Sequence, residues 1–217
     1  LLMLLSSSLN INTCNIGVSG GFILGSREFE VINILIAGVE GHARYVNEAL
    51  SKLVEEGELR NLSQEEITTI YEHVGVDYGM ALKAFRNIVR TKKTMVTYKG
   101  IPAVIKPLRE FTHTDSQTIL RGLGRVVVLA RIVDARNGIM YPPEYGIEVL
   151  EVADGPRKTV LASKLIAEDE LFMGFEKGAE ILVRGRLEYE VSIEKGLERF
   201  QIRLHRPGHA MIPLRRK

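Results

Sequence analysis

Between positions 122 and 204 the apolar residues come in short alternating runs, the rhythm of strands rather than of helices. In residues 181–191, Ile181, Val183, Gly185, Leu187 and Tyr189 fall on one face and Arg184, Arg186 and Glu188 on the other, which reads as a half-buried strand. Residues 199–204 repeat the pattern, with Phe200, Ile202 and Leu204 expected inward and Arg199, Gln201 and Arg203 outward. Further strand-like runs occupy 125–133, 145–152 and 159–166 and are rich in β-branched residues. Turn chemistry separates them at Asn137-Gly138, at Asp154-Gly155-Pro156, across 174–178 and at Lys195-Gly196. A short helix is expected over 167–175, with Glu168, Asp169 and Glu170 where the positive end of the helix dipole favours acids.

The N-terminal half has another period. One or two strands are expected over 12–37, with a helix as the competing reading for 31–37, because a short apolar run does not fix its own period. A helix over 41–56 places Val46, Ala49, Leu50 and Leu53 on one stripe and stops at Gly57. Ser63-Gln64-Glu65-Glu66 is a capping box that starts a helix running to about His73. Residues 74–77 make a tight turn, and Asp77 caps a further helix from Tyr78 to about Lys93. Two strand-like runs, 94–98 and 101–105, flank Lys99-Gly100. Helix, turn, longer helix and hairpin resemble the architecture of winged-helix domains, in which Lys99-Gly100 would be the wing.

Three strands, a helix and two strands is the OB order. Through Gly122-Leu123-Gly124-Arg125-Val126-Val127-Val128 and Gly178-Ala179-Glu180-Ile181-Leu182-Val183-Arg184-Gly185-Arg186, the C-terminal stretch resembles the OB-fold domains of single-strand-binding and replication protein A-like proteins. The expected organisation is an α+β winged-helix-like domain over 1–110, a linker over 111–121, and an all-β five-stranded OB-type barrel over 122–217 that ends in a basic tail.

Charge adds to this picture through its distribution, since the net value is only +2. Residues 26–72 carry ten acids, whereas residues 78–109 carry Lys83, Arg86, Arg90, Lys92, Lys93, Lys99, Lys106 and Arg109 and no acid at all. On a helix, Lys83, Arg86, Arg90 and Lys93 share one side, beside an apolar stripe of Ala81, Phe85, Ile88 and Val89. A merely solvated face would interleave signs for i,i+4 support. Contact with nucleic-acid phosphates is therefore the leading expectation and an acidic protein partner the alternative. In the barrel, the resemblance implies ligand binding across strands two and three and between two loops. Tyr141 and Tyr145 are then candidates for base stacking, and Lys195 lies in the second loop. Arg184, Arg186, Arg199 and Arg203 form a possible outer patch away from that groove.

Other chemistry is sparse. The chain has no P-loop, serine elbow or dinucleotide fingerprint, and Gly122-Leu123-Gly124 precedes a strand rather than a helix. His205 and His209 have i,i+4 spacing, but Pro207 keeps the segment out of a helix. No catalytic residue, metal, cofactor or small-molecule substrate is expected, and the protein reads as a non-enzyme. Cys14 is the single cysteine, which excludes an internal disulfide, and residues 1–5 lack the charge and length of a signal peptide. A cytoplasmic protein without membrane spans follows as the expectation. The three glutamines lean toward a thermophile. Homo-oligomerisation stays open.

Overall fold

The computed structural model describes residues 1–19, 31–39, 43–74, 78–109, 118–192, 196–205 and 207–214. It is a mixed α/β structure with four α-helices and two sheets, one of five strands and one of six. The chain divides into two compact units. Unit 1 comprises Leu1–Gly75, Ala81–Glu110 and Ile139–Tyr141; unit 2 comprises Val76–Met80, Phe111–Gly138 and Pro142–Lys217. The expected linker falls partly outside the described residues, and 118–121 begin a long strand.

Unit 1 runs α1 (Leu2–Leu9), β1 (Ile16–Ser19), β2 (Ile32–Ile36), α2 (Ala43–Glu55), β3 (Arg60–Asn61), α3 (Gln64–Val74), α4 (Leu82–Arg90), β4 (Met95–Tyr98) and β5 (Ile101–Pro107). Its sheet has the order β1-β2-β5-β4-β3, with β2 parallel to β5 and the other pairs antiparallel. The ambiguous run 31–37 is thus a strand: Ile34 and Ile36 point into the core and Asn33 and Leu35 alternate away, a period a helix could not satisfy. The stripe on α2 is buried as expected, since Val46, Leu50 and Leu53 join Leu5 and Leu9 of α1 and Ile34, Ile36 and Ile105 of the sheet in one cluster. Each such side chain contributes about 1.5–3 kcal/mol of burial.

The capping box forms. The Ser63 amide donates to Glu66 Oε2 at 2.7 Å and the Glu66 amide donates to Ser63 Oγ at 3.2 Å. Glu66 also accepts both Nη groups of Arg60, at 2.8 and 2.7 Å, and the Thr97 hydroxyl at 3.1 Å. Burial alone would raise its pKa, but these donors outweigh it and hold the carboxyl below the usual range. One residue therefore fixes β3, the start of α3 and β4 together.

Unit 2 contains β6 (Thr118–Asp134), β7 (Glu144–Asp154), β8 (Ala162–Ala167), β9 (Glu180–Ser192), β10 (Leu197–Leu204) and β11 (Ala210–Pro213). Five of these close a ring, β6 to β7 to β8 to β10 to β9 and back to β6. Only the β8–β10 contact is parallel. Along one edge of β9, residues 181–184 pair with β11 and residues 186–192 pair with β10. Gly185 sits at the changeover, where a Cβ would lie 2.7 Å from Leu204 and 3.0 Å from the Arg203 carbonyl, so no side chain fits.

Three expectations need correction here. The helix over 167–175 is absent: β8 runs to Ala167, a 3₁₀ turn covers Glu170–Phe172, and Gly174 has φ +74. Leu171, Phe172, Met173 and Phe175 are all buried, and an exposed helical face cannot be drawn through such a run. Asp169 still caps, accepting the Leu171 amide at 2.8 Å. The run 159–166 is strand only from Ala162, because a 3₁₀ turn occupies Arg157–Leu161. Glu188 and Gln201, expected outward, are 8% and 0% exposed, while Phe200 is half-buried. A register shift between Phe200 and Gln201 re-aims the side chains, and the buried carboxylate of Glu188 is held by Arg203 Nε at 2.9 Å and Gln201 Nε2 at 3.2 Å.

Candidate nucleic-acid interface

The basic helix is shorter than expected. It starts after Ala81, whose side chain makes no cap, and ends at Arg90, leaving Lys93 in the turn beyond it. Asp77, the expected cap, lies outside the described residues. Phe85, Ile88 and Val89 are buried, and the Phe85 ring meets Tyr71 of α3 edge-on at 5.4 Å. That fixes which side of α4 faces outward.

Lys83, Arg90 and Lys93 are exposed on the outward side, and among the described residues none has a carboxylate partner. Arg86 differs from them. It is half-buried, Nη2 donates to Thr68 Oγ1 of α3 at 2.8 Å, and its Nε is buried without a hydrogen-bond partner. The fourth cation of the expected face is thus a tie between α3 and α4.

The hairpin joining β4 to β5 pairs Tyr98 with Ile101 and leaves Lys99 and Gly100 as its two turn residues, with φ +49 and +82. Two successive left-handed residues match the twist of the strands, which makes this the tightest favoured reversal. Lys99 stands exposed at the tip, its Nζ 5.3 Å from the Tyr98 ring centroid. Two other cations of the acid-free stretch have gone inside. Lys92 is 3% exposed, and burial pushes its ammonium down to about 7; Lys106 is 8% exposed, with Nζ 5.0 Å over the Tyr141 ring.

Tyr141 belongs to unit 1, where its amide donates to the Pro107 carbonyl at 2.7 Å and its ring is half-buried under Lys106. Tyr145 is a correction. It is 1% exposed; its hydroxyl lies 2.9 Å from the Gly138 carbonyl and 2.7 Å from that of Phe172, and it accepts the Phe175 amide at 3.2 Å. Burial raises its pKa well above the usual phenol range. With no free face, Tyr145 ties down the irregular segment after β8 and cannot stack on a base. Lys195 lies outside the described residues.

The surface over β7 and β8, where the resemblance implies a ligand, has a cavity of about 210 Å³ lined in part by Glu144, Ser163, Lys164 and Arg199. Its cations are taken. Lys164 pairs with Glu144 at 2.9 Å, and Arg199 pairs with Glu190 at 2.5 Å. Burial lowers the Lys164 pKa, with Glu144 opposing. A second cavity of about 260 Å³ lies among Tyr78, Asp169, His205 and His209. There the Tyr78 hydroxyl donates to the Asp169 carboxylate, and the His205 amide donates to His209 Nδ1 at 3.2 Å. Among the described residues no three His, Cys, Asp or Glu side chains are grouped to hold a metal, and no helix is long and apolar enough to cross a membrane.

No protein-family model matches the chain, and none of the curated proteins or solved structures compared with it matches.

Proposed function

We propose that the protein is a non-enzymatic nucleic-acid-binding protein of DNA or RNA, with a winged-helix-like unit and an OB-type barrel, acting in the cytoplasm. The winged-helix reading is supported by the order α2, β3, α3, α4, β4, β5, with β3, β4 and β5 adjacent in one sheet. The OB reading is supported by the ring and by its single parallel contact between the third and fifth strands. The observation that carries the function is the set Lys83, Arg90, Lys93 and Lys99. Lys83 and Arg90 are exposed on α4, Lys93 in the turn after it and Lys99 at the hairpin tip, in a stretch that contains no acid.

Replacing Lys83, Arg90, Lys93 and Lys99 by Gln tests this. If they meet four phosphates of a duplex, the slope of log affinity against log salt should become shallower by about 3–4, and thermal unfolding should be unchanged. Arg86 is left intact because its loss would loosen α3 from α4. An unaltered slope refutes the reading. A second reading, a protein-protein adaptor or assembly subunit, is favoured by the burial of Tyr145 and the paired cations over β7 and β8. It expects an acidic protein, not a duplex, to be displaced by the same four substitutions.

A further inference from the structure

Two arginines of unit 2, Arg131 and Arg199, face glutamates across the strand pairs. Arg131 has Glu180 and Glu148 as its partners in register and bonds both, at 3.1 and 3.4 Å. Arg199 faces and bonds Glu190. One row breaks the pattern: Arg186 of β9 has Arg125 of β6 on one side and Arg203 of β10 on the other. Like charges directly opposite one another are destabilising. Arg203 is relieved by Glu188 and Glu168, at 2.9 and 2.8 Å. Arg125 and Arg186 have no such relief, nor has Arg184 two residues away; among the described residues none of the three has an ion-pair partner.

These three arginines line one groove of about 690 Å³, with Gly124 and Gly185 in its wall, His209 at its side and Asp154 as its one carboxylate. Two of the guanidinium groups have defined surroundings. Arg184 Nη2 donates to the Tyr78 carbonyl at 3.0 Å, which leaves its other N–H groups available. Arg186 lies across Gly122, where a Cβ would come within 2.0 Å of Nη2 and 2.5 Å of Cζ. Only glycine at position 122 lets it lie flat there. Among the described residues no Phe, Tyr or Trp lines the groove, which offers charge and bare backbone with the His209 ring at its side.

We propose that this groove binds the phosphate groups of a single nucleic-acid strand, an inference that rests on the nucleic-acid reading above. Guanidinium groups recognise phosphate oxygens in pairs of hydrogen bonds, and a cation row spread over two strands suits consecutive phosphates better than one small anion. A concave groove admits one backbone, and contacts to phosphate carry no sequence information.

The test uses the full chain and a fluorescent oligothymidylate, titrated at several salt concentrations. The variant R125Q/R184Q/R186Q should bind about tenfold or more weakly, with a salt slope shallower by about 2, as expected for three contacts to a single strand. Gly122→Ala, which keeps every charge but displaces the Arg186 guanidinium, should show a smaller loss. Far-UV circular dichroism and thermal unfolding establish that both variants fold. Retained affinity in the triple variant overturns the proposal, and so does competition by inorganic phosphate or thymidine monophosphate as effective, per phosphate, as that by the unlabelled strand. Two comparisons separate this failure from failure of the parent reading. If substitution of Lys83, Arg90, Lys93 and Lys99 abolishes binding of single strand and duplex alike while the triple variant loses nothing, only the groove is wrong. If the native chain binds neither, both readings fall.

Discussion

Two faces of unit 2 treat arginine in opposite ways. Around β7, β8 and β10, the cations Lys164, Arg199 and Arg203 are each drawn onto a glutamate within hydrogen-bond distance. Along β6 and the middle of β9, Arg125, Arg184 and Arg186 stand together without one. The two faces share strands, solvent and composition, so hydrophobicity does not distinguish them. What differs is whether a glutamate lies within reach, as Glu144 does of Lys164, Glu190 of Arg199, and Glu188 and Glu168 of Arg203. Arg125 and Arg186 stand directly opposite each other, a like-charge pair of small cost that leaves both cations without a counter-charge.

The comparison breaks most readily at Glu188, the buried carboxylate that removes Arg203 from the unpaired row. Glu188→Gln should destabilise the protein by about 2–4 kcal/mol in chemical denaturation, because a half-buried guanidinium loses one of its two counter-charges. The molecules that fold should bind oligothymidylate more tightly than the native chain, since the basic row is lengthened. Weaker binding would mean that the two faces are not independent. Tyr145→Phe comes next, with an expected loss of about 1–3 kcal/mol from the hydroxyl contacts to Gly138, Phe172 and Phe175, and with single-strand affinity unchanged. The smallest effects are the most discriminating. Arg131→Gln removes pairs to Glu148 and Glu180 and should cost up to about 1 kcal/mol, whereas Arg125→Gln relieves a repulsion and should leave the melting temperature unchanged or slightly higher. Equal losses at the two positions would remove the distinction between the faces.

Local chemistry was the most legible part of the chain. The capping box at Ser63 and Glu66, the hairpin at Lys99-Gly100 and the alternation from Ile181 to Leu187 in β9 each depend on neighbours within a few residues, and each forms as read. Features set by distant partners were not legible. Phe172 and Phe175 looked helical beside three acids, but their burial and the Tyr145 hydroxyl, contributed from β7, hold that segment irregular. The inward turn of Gln201 follows from a bulge created by pairing with β8. Lys83 and Lys92 are the same residue type in one basic stretch, yet one is exposed and the other is 3% exposed. Arg125 carried no signal of its own. Its meaning comes from the register that sets it opposite Arg186, and the shift between Gly122 and Gly124 that establishes this register is invisible without the partner strand.

The ring has one further consequence, for the order in which the molecule can be assembled. β10 is the last strand of the ring in chain order, parallel to β8 and antiparallel to β9. Until residues 197–204 have been synthesised, β8 and the far half of β9 each present a row of unpaired amides and carbonyls, and such an edge recruits strands from other chains. Pairing of β10 therefore covers two such edges at once.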